Sequence, residues 1–196
     1  PRELTLSEEH DLETFRHLAR CRALSSDLIV QIVGDPQVGD QRLRKRLKEL
    51  FEQGYLDRPQ QQQVHTIKPG GRWGGAMPLV YALGRRGAQA IAGEGEFAGL
   101  DGKRFERNNR EIKDRQLQHS LLVSRVYGTL WLAAKAQPDV ARFYFWKQGQ
   151  DLHDAFVVDA AGALVSGRKL GPGDTRHVVY PDAFTGLIVP GRERGT

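Results

Sequence analysis

The sequence predicts an α+β protein built from two parts. Apolar residues recur at helical spacing up to about residue 53, and two short β-rich runs separated by a glycine-rich stretch follow them. Farther along the chain, one long helical pattern precedes several strand-like runs. These three observations favour a winged helix-turn-helix over 1–92, a linker over 93–104, and a long helix with an antiparallel sheet over 105–196.

The composition is that of an ordinary globular chain. Of its 196 residues, 39% are hydrophobic and 27% are charged, which is sufficient for a hydrophobic core. A single cysteine, Cys21, excludes an internal disulfide and a cysteine-based zinc cluster. No apolar run is long enough to span a bilayer, and the first residues lack a secretion signal, so we expect a cytoplasmic protein without a membrane partner.

The positive charge is concentrated in one part of the chain. The formal net charge is +5, from 29 Lys and Arg against 24 Asp and Glu. Residues 1–35 carry a net −3, residues 36–86 a net +6, residues 87–104 a net −1, and residues 105–196 a net +3. A basic window of this kind indicates a polyanionic partner, although basic helices also serve simply as solvated faces.

Three helices are predicted before the basic window ends. Ser7 caps the first, which runs to about Cys21, and Ser25 begins a short second helix that ends near Gly34. The third runs from about 38 to 53 and stops at Gly54, a residue type favoured just after a helix C-terminus.

The third helix has the composition of a DNA-reading element. Its buried stripe consists of Leu43, Leu47, Leu50 and Phe51. Five polar side chains lie on or beside the opposite face: Gln41, Arg42, Arg44, Lys45 and Lys48. Arg and Lys contact guanine edges or phosphates, and Gln pairs with adenine, so this helix suits the major groove of DNA.

A wing is predicted to follow the third helix. A strand at 55–58 and a returning strand at 79–83 enclose a long polar loop, and a short helix then ends near Ala92. Within the loop, Lys68 and Arg72 are candidates for phosphate or minor-groove contacts, and Trp73 for stacking on a base or for packing on its own hairpin. A winged helix used for protein contact is the alternative.

The second half is predicted to hold one long helix and a sheet. The helix runs from about 105 to 136 and stops at Gln137-Pro138. Four strand-like runs follow it, at 141–146, 156–158, 177–180 and 183–189.

Four motifs in this order resemble those of the plasmid replication-relaxation proteins of bacteria. They are Leu-Phe-Glu-Gln-Gly-Tyr-Leu-Asp-Arg (50–58), Val-Tyr-Ala-Leu-Gly-Arg-Arg-Gly-Ala (80–88), Leu-Gln-His-Ser-Leu (117–121) and Tyr-Pro-Asp-Ala-Phe (180–184). The resemblance covers roughly 8–190 and implies an N-terminal winged helix that binds DNA. Members usually carry acids beside the helix histidine, where this chain has Gln118 and Ser120.

The second half also resembles the restriction-endonuclease-like fold. That fold uses a Pro-Asp element and then a strand bearing Glu-x-Lys to hold Mg²⁺ or Mn²⁺. Asp182 suits the first element, as a catalytic residue and metal ligand or as a plain hairpin residue, but no Glu-x-Lys strand follows it. We therefore expect a fragment of a longer protein, with no cofactor in this chain and Mg²⁺ or Mn²⁺ in the full-length one.

Other catalytic patterns are weaker. The histidines contain no His-x-His pair, and the chain has no Walker-type phosphate loop. The simpler interpretation of Tyr180 is an aromatic residue of a strand, and that of His119 is a histidine of the core. The 151–154 segment is more simply a polar turn.

Three functions are consistent with these features. The first is binding of double-stranded DNA, at a plasmid origin or an operator, in replication or relaxation of plasmid or other mobile DNA. The second is metal-dependent nicking by the longer protein, and the third is a transcriptional regulator. The expected partners are duplex DNA, a second copy of the chain through the helix 105–136, and replication or transfer proteins.

Overall fold

The computed structural model describes residues 4–34, 39–60, 78–148, 157–158, 164–165, 177–178 and 182–190. The chain forms two compact units, Pro1–Leu132 and Ala133–Thr196. Helices dominate the first unit, and small antiparallel sheets occur in both, so the predicted α+β class is confirmed.

The first unit is mainly helical. A π-helical turn at Glu8–Leu12, capped by the Ser7 side chain, continues into an α-helix. Its helices and strands in chain order are α1 (Glu13–Arg20), β1 (Leu24–Ser25), α2 (Ser26–Val33), α3 (Asp40–Glu52), β2 (Leu56–Asp57), β3 (Val80–Leu83), α4 (Arg85–Ile91), α5 (Gly102–Glu111) and α6 (Asp114–Ala136).

A three-stranded antiparallel sheet organises this unit. The strand order is β1-β3-β2, with Leu24 opposite Tyr81 and Leu56 opposite Leu83. Because side chains alternate along a strand, these four residues share one face, and α1 and α3 contact strands of this sheet. Leu24, Leu56, Tyr81 and Leu83 are all buried there.

The other face of the sheet is covered as well. Val80 packs in a buried cluster with Ala23, Ile112 and Leu117. The amide nitrogen of Asn109 donates to the carbonyl oxygen of Leu83 at 2.9 Å. Consequently all four residues of β3 are buried, which explains why this strand has a continuous apolar sequence instead of an alternating one.

The predicted linker over 93–104 is part of the first unit. It holds a 3₁₀ turn, Gly95–Phe97, in which Phe97 is only 6% exposed. Glu94 binds Arg16 at 2.7 Å and Glu96 binds Arg20, so this segment is tied to α1. The two compact units divide at Leu132 and Ala133, within α6; the predicted domain boundary at 92 stays a prediction.

The predicted single helix over 105–136 is two helices. α5 ends at Glu111 and α6 begins at Asp114, with Ile112 in extended conformation between them. This break directs Ile112 and Leu117 into the cluster against β3. α6 is held to the N-terminal elements by the Ser124 hydroxyl, which donates to the carbonyl oxygen of Ala23 at 2.6 Å.

The second unit contains five short strands among the described residues. β4 (Arg142–Gln148) pairs antiparallel with β8 (Ala183–Ile188). The other three form a sheet of order β6-β5-β7, from β5 (Val157–Val158), β6 (Leu164–Val165) and β7 (His177–Val178). The restriction-endonuclease-like arrangement remains a prediction.

Candidate nucleic-acid interface

The third helix presents the predicted polar face to solvent. α3 buries Leu43, Leu47 and Leu50 against the rest of the unit. Its five predicted DNA-contacting residues are all exposed: Gln41, Arg42, Arg44, Lys45 and Lys48. The 3.6-residue period of the helix therefore separates an apolar inner face from a polar, basic outer face.

Arg44, a predicted DNA contact, also makes contacts within the protein. Its guanidinium donates to the hydroxyl oxygen of Ser26 at 3.0 Å and forms an ion pair with Asp27, both in the first turn of α2. Ser25 caps the same helix by accepting from the amide of Leu28. Arg44 thus links α3 to the start of α2, and part of its charge is used within the molecule.

Arg46 anchors the N-terminal segment to α3. It donates to the buried Asp11 carboxylate, at 2.7 Å from Nη2, and to the carbonyl oxygen of Thr5 at 2.8 Å. The same carboxylate accepts the backbone N–H of Ser7 at 2.9 Å. The hydrogen bond to Asp11 raises the pKa of Arg46, which keeps this side chain charged and engaged inside the protein.

The remaining polar residues of α3 are accessible. Lys48 has an ion pair with Glu52 at 3.7 Å, but both side chains are more than half exposed, so water screens the pair. Gln41, Arg42 and Lys45 project from the same outward side of the helix. These three side chains and Lys48 form the surface that a polyanion would meet.

The base of the hairpin after α3 is fixed by an arginine. The Arg58 guanidinium lies 4.3 Å from the Phe51 ring centroid and 4.9 Å from that of Tyr81, whose hydroxyl also accepts from it at 2.8 Å. This places a cation–π contact between α3 and the two strands. The candidate loop residues Lys68, Arg72 and Trp73 lie outside the described residues.

Two of the four family-like sequence motifs, 50–58 and 80–88, contact each other. The amide of Gly84 donates to the carbonyl oxygen of Tyr55 at 2.9 Å, and the amide of Arg86 donates to that of Gly54 at 3.2 Å. A Cβ atom at Gly87 would lie 2.3 Å from the Tyr55 oxygen, so only glycine permits this approach. The segments 50–58 and 80–88 thus pack together at the C-terminal end of α3.

The family model described as replication-relaxation matches residues 15–187. The chain belongs to the replication-relaxation family. This membership confirms the resemblance inferred from the motifs, and it indicates a role in replication or relaxation of plasmid or other mobile DNA. No curated protein and no solved structure matches the chain.

The second candidate site of this replication-relaxation protein centres on Asp182. The residue is exposed and directly precedes β8. Within the described ranges, no three His, Cys, Asp or Glu side chains come together to hold a metal ion. The part of the chain that is described therefore does not form a metal centre around Asp182, and its catalytic role remains a prediction.

Of the other histidine and tyrosine candidates, the structure describes only some. His119 is exposed on α6, so it is not the buried core histidine expected from the sequence. Tyr180 and residues 151–154 lie outside the described residues. A buried histidine does exist at His17, which makes a hydrogen bond with the Tyr127 hydroxyl and thereby joins α1 to α6.

No helix in the described part of the chain combines the length and the apolar character that a membrane span requires.

Proposed function

We propose that this chain binds double-stranded DNA through α3 and the hairpin that follows it. The binding serves replication or relaxation of plasmid or other mobile DNA, in the bacterial cytoplasm and together with replication or transfer proteins. Family membership supports the DNA context. The observation that carries the proposal is the outer face of α3, on which Gln41, Arg42, Lys45 and Lys48 are exposed side by side.

The order of elements supports a winged helix. The sequence α1-β1-α2-α3-β2-β3, with a β1-β3-β2 sheet, agrees with the arrangement in which a second helix of a helix pair enters the major groove. The Arg44–Asp27 ion pair helps to orient α3 against α2. The β2–β3 connection is then the wing, with Lys68, Arg72 and Trp73 as its contacts.

A lysine substitution on α3 tests the proposal. Lys45→Ala removes one exposed cation, and each lost phosphate contact lowers the slope of log K against log salt by about 0.9. We expect weaker binding to a random 40-base-pair duplex at every salt concentration, measured by fluorescence anisotropy.

The matched control is Arg125→Ala, which removes an exposed cation from α6. This variant should retain the affinity and salt slope of the unsubstituted chain. Equal binding by Lys45→Ala and the unsubstituted chain across the salt series would contradict the assignment of α3.

A dimeric regulator is a second candidate. On the outer side of α6, Leu122 is 60% exposed and Val126 is 56% exposed, and these positions are one helical turn apart. If a second copy of the chain covered Leu122 and Val126, the resulting dimer would bind DNA with two-fold symmetry. A footprint with two half-sites about one DNA turn apart would favour this function.

A further inference from the structure

A row of cations lies along the outer side of α5. Lys103, Arg107 and Arg110 follow one another at spacings of four and three residues, so they share one face over about 10 Å of helix. All three are exposed, whereas Gly102 and Asn109 on the opposite side are buried. We call these three residues the α5 row.

The α5 helix and the two residues after it are basic. Residues 102–113 contain five Lys and Arg against two Glu, a net +3, with Asp101 and Asp114 at either end. Arg85 and Arg86 belong to α4, which packs against α5. Arg110 pairs with Glu106 at 3.1 Å, but the two side chains are 64% and 42% exposed, so the pair is weakly held.

The α5 row is rigidly attached to the strands of the hairpin. Asn109 donates to the Leu83 carbonyl oxygen at 2.9 Å and to Asp57 Oδ2 at 3.2 Å, which ties α5 to β3 and β2 at once. At the other end of the helix, Gly102 lies so close to Arg85 that a Cβ atom would be 2.8 Å from the Arg85 carbonyl oxygen. The row therefore has a fixed position relative to the base of the proposed wing.

We propose that the α5 row is a second DNA contact, which binds the phosphate backbone independently of sequence. The inference rests on the proposed DNA-binding function and extends it to a surface beyond α3 and the wing. Arginine and lysine on one exposed line suit phosphate oxygens, since both donate charge-assisted hydrogen bonds to them. Such contacts add affinity and position the protein on the duplex without reading bases.

The test is a triple variant, Lys103→Gln, Arg107→Gln and Arg110→Gln, in the full chain. Binding is measured to a 40-base-pair random duplex, which is long enough to reach more than one face of the protein. If all three residues contact phosphates, the slope of log K against log salt falls by about 2.7. The affinity should fall by the same factor for duplexes of different sequence.

A charge-matched control separates a local contact from net charge. Arg125→Gln, Lys135→Gln and Lys147→Gln remove three exposed cations from α6 and β4. This control should bind DNA more tightly than the α5 variant and with a steeper salt dependence. Equal losses in the two variants, or no loss in the α5 variant, would overturn the proposal.

The Lys45→Ala variant distinguishes failure of this inference from failure of the proposed function. If Lys45→Ala weakens binding and the α5 variant does not, α3 binds DNA and the α5 row does not. If the unsubstituted chain binds no duplex even at low salt, both are wrong. Circular dichroism melting of each variant confirms that a loss of binding is not a loss of folding.

Discussion

The carboxylate of Asp11 is buried, and its interactions inside the protein compensate for the loss of water. Only 1% of the residue is exposed, and it accepts hydrogen bonds from Arg46 and from the backbone of Ser7. A buried ion pair contributes little net stability, but removing one partner leaves the other charge without compensation. The pair therefore matters most for how the N-terminal segment is held to α3.

Replacing Arg46 by Met should destabilise the protein. The variant leaves the Asp11 carboxylate buried with the Ser7 amide as its remaining hydrogen-bond donor among the described contacts, so we expect a loss of about 2–4 kcal/mol in the free energy of unfolding. Urea denaturation measures the loss. The double variant Asp11→Asn with Arg46→Met should recover part of it, and a fully stable Arg46→Met would contradict this account.

Cys21 is expected to be chemically inert in the folded protein. It is 1% exposed, and burial raises the pKa of its thiol, so the reactive thiolate is suppressed. A thiol reagent should label it slowly in the native state and completely in guanidinium, because it is the only cysteine of the chain. Rapid native labelling at neutral pH would contradict the buried placement.

The raised pKa of the Cys21 thiol also determines how this group changes the stability of the protein with pH. An unfolded cysteine loses its proton near pH 8.5, whereas the buried thiol retains it. Above about pH 8.5 the unfolded state therefore binds fewer protons than the folded one, and this group makes the protein less stable as the pH rises. A Cys21→Ala variant should lack this contribution.

Among the helices and strands, α4 packs so closely against the backbone of Tyr55 that position 87 requires glycine. Gly87→Ala would put a Cβ atom 2.3 Å from the carbonyl oxygen of Tyr55, a backbone atom that cannot rotate away. We expect a loss of about 1–3 kcal/mol in the free energy of unfolding. Gly93→Ala is the control, since no atom lies within 4 Å of its Cβ position. Similar melting temperatures for both variants would argue against this tight packing.

The buried and exposed positions of α3 were predictable because they follow the 3.6-residue period of the helix. Leu43, Leu47 and Leu50 are buried, and the five polar positions are exposed, as helical spacing predicts. The pairing of Arg44 with Asp27 was not predicted, because it joins residues that are 17 positions apart. The exposed face of α3 was therefore predictable from the sequence, but the internal use of one of its cations was not.

The helices after β3 show where sequence patterns are insufficient. A glycine-rich acidic stretch is typical of a linker, yet Glu94 and Glu96 bind arginines nearly 80 residues earlier, and Phe97 is buried. Similarly, neither Gly nor Pro marks the break at Ile112, whose conformation follows from its packing near Val80. The α5 row was missed because this region was divided between a linker and a longer helix.

At the scale of the whole molecule, the first unit needs residues well beyond 92. A fragment ending there lacks Asn109, Ile112 and Leu117, which cover the second face of the sheet. We expect residues 1–92 to melt without cooperativity and to expose apolar surface to a dye, whereas residues 1–136 should unfold cooperatively. A cooperative, monomeric 1–92 fragment would contradict this expectation and support the domain boundary predicted from the sequence.

The two-sided covering of β3 also has a consequence for synthesis on the ribosome. The strand is complete at Leu83, but Ile112 and Leu117, which cover its second face, are made about 30 residues later. At about 5–20 residues per second, this delay lasts about 2–7 seconds. During that interval one face of the sheet is open, so the nascent chain presents apolar surface that a chaperone can bind.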